Sequence, residues 1–349
     1  MTDLDPFTTA LHADREFADL DDVAPAIRPS STFTDGTGRR YRRSSHETTE
    51  RFEAVIGALE SGHAVAYASG MAAATAVIDL FRPDQVALPP VYHGVRDLVA
   101  GAESAGLLRT THVDGLDSGD VHWIETPSNP HCAITSIEDA AKRNRNEGIV
   151  TVVDATFATP VGMDALELGA DVVMHSATKA ISGHSDALVG VLVVPDAGTA
   201  ERLRQRRNIT GAIPGSLDVW LALRGVRTLP LRFARASETA GRIAEWAQSE
   251  GVHTYYPGLA DHPGHDVAAR EMHGYGSVLA IDIADFGRAS ATVANTKVFR
   301  NATSLGGVES LIEHRIVSDP EMDPGLIRLS IGLESPEALI GDLELALDS

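Results

Sequence analysis

Val172-Val173-Met174-His175-Ser176-Ala177-Thr178-Lys179-Ala180-Ile181-Ser182-Gly183-His184-Ser185-Asp186 is the most informative stretch of this chain. A run of strand-forming apolar residues passes without a break into two hydroxyls, a lysine and a Gly-His-Ser-Asp turn. That order puts Lys179 just past the carboxyl end of a buried strand. In open sheets whose strands alternate with helices, ligands gather at that end. Taken alone, Lys179 fits a solvated loop ammonium, the commonest fate of a lysine. The other reading is an amine held near neutrality by burial or neighbouring charge so that it can attack a carbonyl.

Working outward, apolar runs of strand length recur at 64–68, 86–88, 121–124, 149–153 and 188–194, with helical spacing at 48–59, 71–80, 94–105 and 137–146. This βαβα alternation predicts an α/β fold, a mostly parallel sheet with helices on both faces. After about residue 225 the texture changes to one long helix over 229–250, strands at 277–283 and 326–331, and an acidic closing helix at 336–347. We read this part, 226–349, as a smaller α+β domain, and 48–225 as the domain that carries the site. Residues 1–47 contain Pro25 and Pro29 and little periodicity, which predicts an extended arm reaching a neighbouring subunit.

Composition narrows the function classes. The 349 residues carry 29 Lys+Arg against 49 Asp+Glu, a net charge of −20, with 43% hydrophobic residues. This is a globular balance, and its sign repels nucleic acid and anionic membranes. Neither is expected as a partner. No apolar run is long enough to span a bilayer, and Met1-Thr2-Asp3-Leu4-Asp5 lacks a basic leader, so a cytoplasmic location is expected. The single cysteine, Cys132, allows neither an internal disulfide nor a thiolate zinc site. No repeat of 20 to 50 residues is present.

Two further segments share the strand-end pattern. Ile149-Val150-Thr151-Val152-Val153-Asp154 ends a strand in a carboxylate, which suits a helix cap or turn as well as the acid that a pyridine nitrogen requires. Ala66-Tyr67-Ala68-Ser69-Gly70-Met71-Ala72-Ala73-Ala74 runs from strand through a Ser-Gly turn into a helix. The unpaired N–H groups of that helix start suit either an ordinary cap or a phosphate, with Ser176 and Thr178 adding hydroxyls.

These residues, in this order, resemble the Cys/Met-metabolism group of fold-type I pyridoxal phosphate (PLP) enzymes: cystathionine γ-synthases, cystathionine γ- and β-lyases, methionine γ-lyases and sulfhydrylases. The likeness runs from Tyr41 to the C-terminus. It rests on Tyr41-Arg42-Arg43, Ser69-Gly70-Met71, Glu125-Thr126-Pro127-Ser128-Asn129-Pro130, Asp154-Ala155-Thr156-Phe157, Ser176-Ala177-Thr178-Lys179, Arg224-Gly225-Val226-Arg227-Thr228-Leu229, Ser304-Leu305-Gly306-Gly307-Val308-Glu309-Ser310 and Arg328-Leu329-Ser330-Ile331-Gly332. The resemblance implies that Lys179 bonds the cofactor covalently and, once freed by the substrate, takes its α-proton. It implies Asp154 at the pyridine nitrogen, with Thr156 beside it, and Tyr92 stacked on the ring and active in proton transfer. Gly70, Met71, Ser176 and Thr178 would bind the phosphate, joined by Tyr41 and Arg43 from the neighbouring subunit of a homodimer or homotetramer. Arg328 would clamp the α-carboxylate, with Asn129, Ser304 and Thr303 completing the substrate site. The reaction implied is elimination or replacement at the γ-carbon of an amino acid, or at the β-carbon as in a β-lyase.

The chain departs from the pattern in places. Tyr92-His93-Gly94-Val95 replaces the usual Tyr-Gly-Gly-Thr or Tyr-Gly-Cys-Thr turn, and Ala155 stands where Asn is common. Thr303 occupies the position where cystathionine-handling members often carry a glutamate for a distal ammonium. His93 and Thr303 therefore point to a smaller or less charged γ-substituent than that of cystathionine. Competing readings are a PLP-binding scaffold without turnover and a metal-dependent hydrolase built on His175, His184 and Asp186, whose spacing fits no standard zinc signature.

Overall fold

The computed structural model describes residues 5–17 and 23–348. Met1–Leu4 of the expected leaderless start, residues 18–22 of the arm, and Ser349 lie outside the described residues. The larger sheet contains β1 (His63–Tyr67), β2 (Gln85–Ala87), β3 (Arg109–Thr111), β4 (Val121–Glu125), β5 (Val150–Asp154), β6 (Val172–His175) and β7 (Gly190–Val194), in the order β1-β7-β6-β5-β4-β2-β3. The pairings that join β3, β2, β4, β5 and β6 are parallel, and β7 runs antiparallel to both β1 and β6. Strands β4, β6 and β7 are buried at every position, as expected where helices cover both faces. Ala64, Ala66, Val153, Val173 and Val191 face the helices Glu47–Leu59 and Ser216–Val226. Their alternates Val65, Tyr67, Val152, Val172 and Leu192 face Gly70–Phe81, His93–Ser104 and Ala197–Thr210.

The smaller sheet contains β8 (His253–Tyr255), β9 (Val278–Asp282), β10 (Arg300–Asn301), β11 (Leu311–His314) and β12 (Leu326–Ser330), in the order β10-β11-β12-β9-β8. Its core joins Leu279, Ile281, Ile312 and Leu329 to the helices Leu229–Ser249, Phe286–Asn295 and Pro336–Leu347 through Ile243, Val293, Leu339 and Leu343. No helix among the described residues is long and apolar enough to cross a membrane.

The N-terminal segment differs from the extended arm expected. Pro6–His12 is a helix, capped by Asp5 and opened by Pro6, and its Ala10 is fully buried in the core on one face of the larger sheet. Seven residues carry too short a period to be read from sequence. Beyond residue 23 the segment is extended, with one bridge between Thr32 and Tyr41. It is tied to the body where Trp220 Nε1 donates to the Pro25 carbonyl at 2.7 Å and Arg42 Nη2 to the Pro214 carbonyl at 3.0 Å. Helix Ala197–Thr210 also escaped the periodicity reading, because one of its buried side chains is Arg207, paired with Glu53 inside the fold at 2.6 Å.

Register decides where the chemistry collects. Glu125 stands opposite Asp154, and Asp154 opposite Met174, so three adjacent parallel strands finish level with one another. Beside them the helix Gly70–Phe81 begins, capped by Ser69, whose Oγ accepts from Ala72 N at 3.0 Å. Gly190 lets β7 pass against this turn, since a Cβ there would sit 2.1 Å from the Ser69 carbonyl oxygen.

Candidate active site

A cavity of about 230 Å³ opens at these strand ends. It is lined by Gly70, Met71, Tyr92, Asn129, Asp154, Thr156, Ser176, Thr178, Lys179, Thr303, Ser304 and Arg328, among others. Twelve of the fourteen residues singled out from sequence thus meet in one place. The other two, Tyr41 and Arg43, lie on the exposed N-terminal segment and do not line this cavity. Arg43 stacks over the Tyr41 ring with its Cζ 5.6 Å from the centroid. A wider groove of about 1020 Å³ elsewhere, lined by Thr9, Glu16, Glu50, Glu53 and Arg204, brings together no comparable chemistry.

Lys179 sits in the turn after β6. Its Nζ donates to Ser304 Oγ at 2.9 Å, across from the larger sheet's end to the loop before β11 of the smaller one. Burial lowers the amine's pKa first, the Arg328 guanidinium lowers it further, and Glu313 opposes them. The turn is held from beneath by Arg232, whose guanidinium donates to the carbonyls of Ala180 (2.7 Å), Ile181 (3.2 Å) and Gly225 (2.8 Å). Burial brings the Arg232 pKa down to about 10. Gly306, at φ +73, allows the Ser304 loop to approach, since a Cβ there would lie 2.6 Å from Ala180 N. Ser304 itself takes φ +87, an uncommon conformation for a residue with a side chain.

Asp154 closes β5. Its Oδ1 accepts from Thr156 N (3.0 Å) and Thr156 Oγ1 (2.5 Å), leaving Oδ2 for a donor from the cavity. Burial raises its pKa against the lowering effect of those hydrogen bonds. A cation placed beside Oδ2 would reverse that shift. Thr156 Oγ1 also accepts from Ser176 N at 2.9 Å, which ties the Asp154 loop to the lysine turn. Next to Asp154, Glu125 accepts from Tyr92 N (2.6 Å) and Asn129 N (2.8 Å). Burial and then the Asp154 charge push its pKa up to about 8. Ser176 Oγ lies against the helix start, 3.1 Å from where a Gly70 Cβ would be. Thr178 Oγ1 is already engaged by the main chain of Val189.

Arg328, on β12, donates to Asn129 Oδ1 (3.0 Å), the Ser304 carbonyl (2.8 Å) and Glu313 Oε2 (2.5 Å). Glu313 is its register partner on β11. Burial lowers the Arg328 pKa to about 10 against the opposing effect of Glu313. Arg315 also lines the cavity and donates to the same Glu313 oxygen at 2.9 Å. Sequence reading assigned no role to Glu125, Arg232, Glu313 or Arg315. Glu125 alone had a signal, its place at a strand end opposite Asp154.

The metal reading does not hold together in three dimensions. His175 pairs with Glu60 at 2.5 Å inside the fold, His184 Nδ1 meets the Ser182 carbonyl at 2.7 Å, and Asp186 is exposed. Among the described residues no three His, Cys, Asp or Glu side chains converge as a metal site.

Comparison with known proteins agrees with this geometry. The family model for Cys/Met metabolism PLP-dependent enzymes matches residues 7–348. A cystathionine γ-synthase of Mycobacterium tuberculosis is 39% identical over 374 residues, covering 98% of this chain and 96% of that protein. A cystathionine β-lyase of Coxiella burnetii is 38% identical over 340 residues, covering 89% and 88%. The crystal structure of metB from Corynebacterium glutamicum superposes with a TM-score of 0.95 at 34% identity, covering 99% of each chain. The chain belongs to the Cys/Met metabolism PLP-dependent enzyme family. It has the fold-type I architecture and is a PLP-dependent lyase or transferase of amino-acid metabolism. The donors of the cavity fit that cofactor: a desolvated amine for its aldehyde, a buried carboxylate with one open oxygen for its ring nitrogen, and a helix start with the Ser176 hydroxyl for its phosphate.

Proposed function

We propose that this chain removes or replaces the γ-substituent of an amino acid, as a γ-lyase or γ-synthase of the cystathionine and methionine type, on a substrate other than cystathionine itself. One observation carries the reading: Lys179 Nζ, held by Ser304 Oγ at 2.9 Å, shares a cavity with the buried Asp154 carboxylate one strand away. Bound PLP supplies an electron sink for the charge left at the α-carbon when its proton departs. Asp154, its orientation fixed by Thr156, would hold the ring nitrogen and favour its protonated form. The Gly70–Phe81 helix start, Met71, Ser176 and Thr178 bind the phosphate, and Tyr41 and Arg43 of a second subunit complete it in a homodimer or homotetramer. Residues 1–47 supply that contact, residues 48–225 form the PLP-binding domain, and residues 226–349 contribute most of the substrate contacts.

Arg328 clamps the substrate α-carboxylate through a planar fork, oriented by Asn129, the Ser304 carbonyl and Glu313. Lys179 Nζ, with its affinity for a proton lowered by burial and by Arg328, is the base for the α-proton. Tyr92, whose main-chain N–H is anchored by Glu125 and which lines the cavity, would face the cofactor ring and could pass a proton to or from the leaving group. Thr303 brings no charge to the far end of the substrate, where cystathionine carries an ammonium. A cytoplasmic location is part of the same reading.

Product analysis tests it. Methionine, homocysteine, homoserine esters, cystathionine and halogenated amino acids are offered in turn, with and without a thiol. Release of 2-oxobutyrate and ammonia, or capture of the thiol at the γ-carbon, supports the reading. Pyruvate in their place assigns the β-carbon, and no product from any compound assigns a scaffold. Borohydride reduction should fix the visible chromophore on Lys179, and Lys179→Ala should lose both colour and turnover.

A further inference from the structure

We infer that Arg315 is a specificity-determining residue that receives a carboxylate at the far end of the γ-substituent, on a leaving group with no ammonium there. The inference rests on the γ-carbon reading above and adds the chemistry of the distal group. Arg315 follows β11 directly, is only 4% exposed, and lines the cavity with Lys179, Tyr92 and Arg328. Its Nη1 is spent on Glu313 Oε2, while its Nε is buried with no hydrogen-bond partner. A buried guanidinium with a single acceptor inside the fold is costly, so this one is suited to a second acceptor that arrives with the ligand. Nε has no surface open to the cavity, so Nη2, away from the nitrogen that holds Glu313, is the donor that a ligand carboxylate would reach.

Charge points the same way. Glu313 Oε2 is shared between Arg328 and Arg315, so this trio keeps one net positive charge, and Lys179 stands close enough for Arg328 and Glu313 to shift its proton affinity. Arg328 is the natural seat of the α-carboxylate because it also grips Asn129 and the Ser304 carbonyl. Arg315 is left for a second anion. The neutral Thr303 lines the same cavity, where an ammonium would want a carboxylate. A leaving group that ends in a bare carboxylate satisfies both residues, whereas the zwitterionic end of cystathionine satisfies only Arg315.

Three thioethers of matched length test this: S-(2-carboxyethyl)-L-homocysteine, S-propyl-L-homocysteine and L,L-cystathionine. The wild-type holoenzyme should favour the carboxyethyl compound over each of the others by at least ten-fold in kcat/KM. Arg315→Gln should collapse its preference over the propyl compound to within about three-fold, and Arg315→Lys should restore part of it. A wild-type enzyme indifferent to the carboxylate would overturn the inference. So would an Arg315→Gln enzyme that loses both substrates equally, because Arg315 would then serve only to brace Glu313 and Arg328. Should no thioether be turned over, the γ-carbon reading is judged on the homoserine esters of the product assay, and it fails if they too give no γ-product. Calorimetric affinities of the same compounds then judge Arg315, and an unchanged affinity ratio in the variant refutes it. Arg315→Lys replaces the glutamine variant in both arms if the latter does not load cofactor.

Discussion

Ser304 unites two effects that substitution can separate. Its hydroxyl accepts from Lys179 Nζ at 2.9 Å, and its backbone lies at φ +87. A hydrogen bond to a charged group contributes about 1.5 to 3 kcal/mol, and the half-buried amine argues for the lower end. Ser304→Ala deletes the hydroxyl and keeps the strained backbone, so kcat/KM should fall by roughly ten-fold, the equivalent of about 1.4 kcal/mol. Ser304→Gly deletes the same hydroxyl and relaxes the backbone. Its kcat/KM should fall equally, while its stability in urea exceeds that of the alanine variant by about 0.5 to 1 kcal/mol. Neither change touches the Ser304 carbonyl that accepts from Arg328 at 2.8 Å, so substrate KM provides an internal control. The reasoning is refuted if the alanine variant keeps wild-type kcat/KM, because the amine would then be held by something else. Equal stability of the two variants would refute the claim of strain.

Other predictions concern the surroundings of the lysine. Asp154→Ala should retain cofactor through Lys179 and the phosphate donors yet lose about 2 to 4 kcal/mol of transition-state stabilisation, read as a drop in kcat of roughly 30- to 1000-fold. Arg232→Met leaves the carbonyls of Ala180 and Ile181 without a donor, while Gly225 keeps its bonds from Thr228, and should cost about 2 to 3 kcal/mol in chemical denaturation, with visible absorbance lost at lower urea than in wild type. Glu125 gives a pH dependence. In the cofactor-free fold its pKa is about 8 against an ordinary 4.5, so between those values the folded state holds a proton that the unfolded chain releases. Stability should therefore fall as pH rises from about 5 to 8, by at most roughly 5 kcal/mol, and level off above. Glu125→Gln should flatten that slope in urea titrations at pH 5 and pH 8; a slope unchanged in the variant would assign it to another group.

The strands of the larger sheet and the residues at their ends were legible because uncharged buried runs stop abruptly at Gly70, Asp154 and Lys179, and an abrupt stop survives without tertiary information. Helix Ala197–Thr210 was not, since Arg207 points inward to Glu53 and an inward arginine reads as a surface residue. Glu313, Arg315 and Arg232 were hidden for the same reason. Each is charged and buried; Glu313 meets Arg328 through the pairing of β11 with β12, Arg232 reaches Ala180 and Ile181 across the fold, and Arg315, though only two residues from its partner Glu313, is buried by that same arrangement. The N-terminal helix was too short for a period. Tyr41 and Arg43 were named by the resemblance alone, and within this chain both stand on the exposed N-terminal segment, outside the cavity.

The floor of the cavity, with Lys179 and Asp154, comes from the first sheet, whereas Ser304, Arg315 and Arg328 descend from the second. On the proposed reading, bond-breaking and the choice of what is broken thus draw on two different sheets. Descendants of such a gene are free to rewrite the roof, one rim side chain at a time, and acquire new diets while the furnace beneath goes untouched.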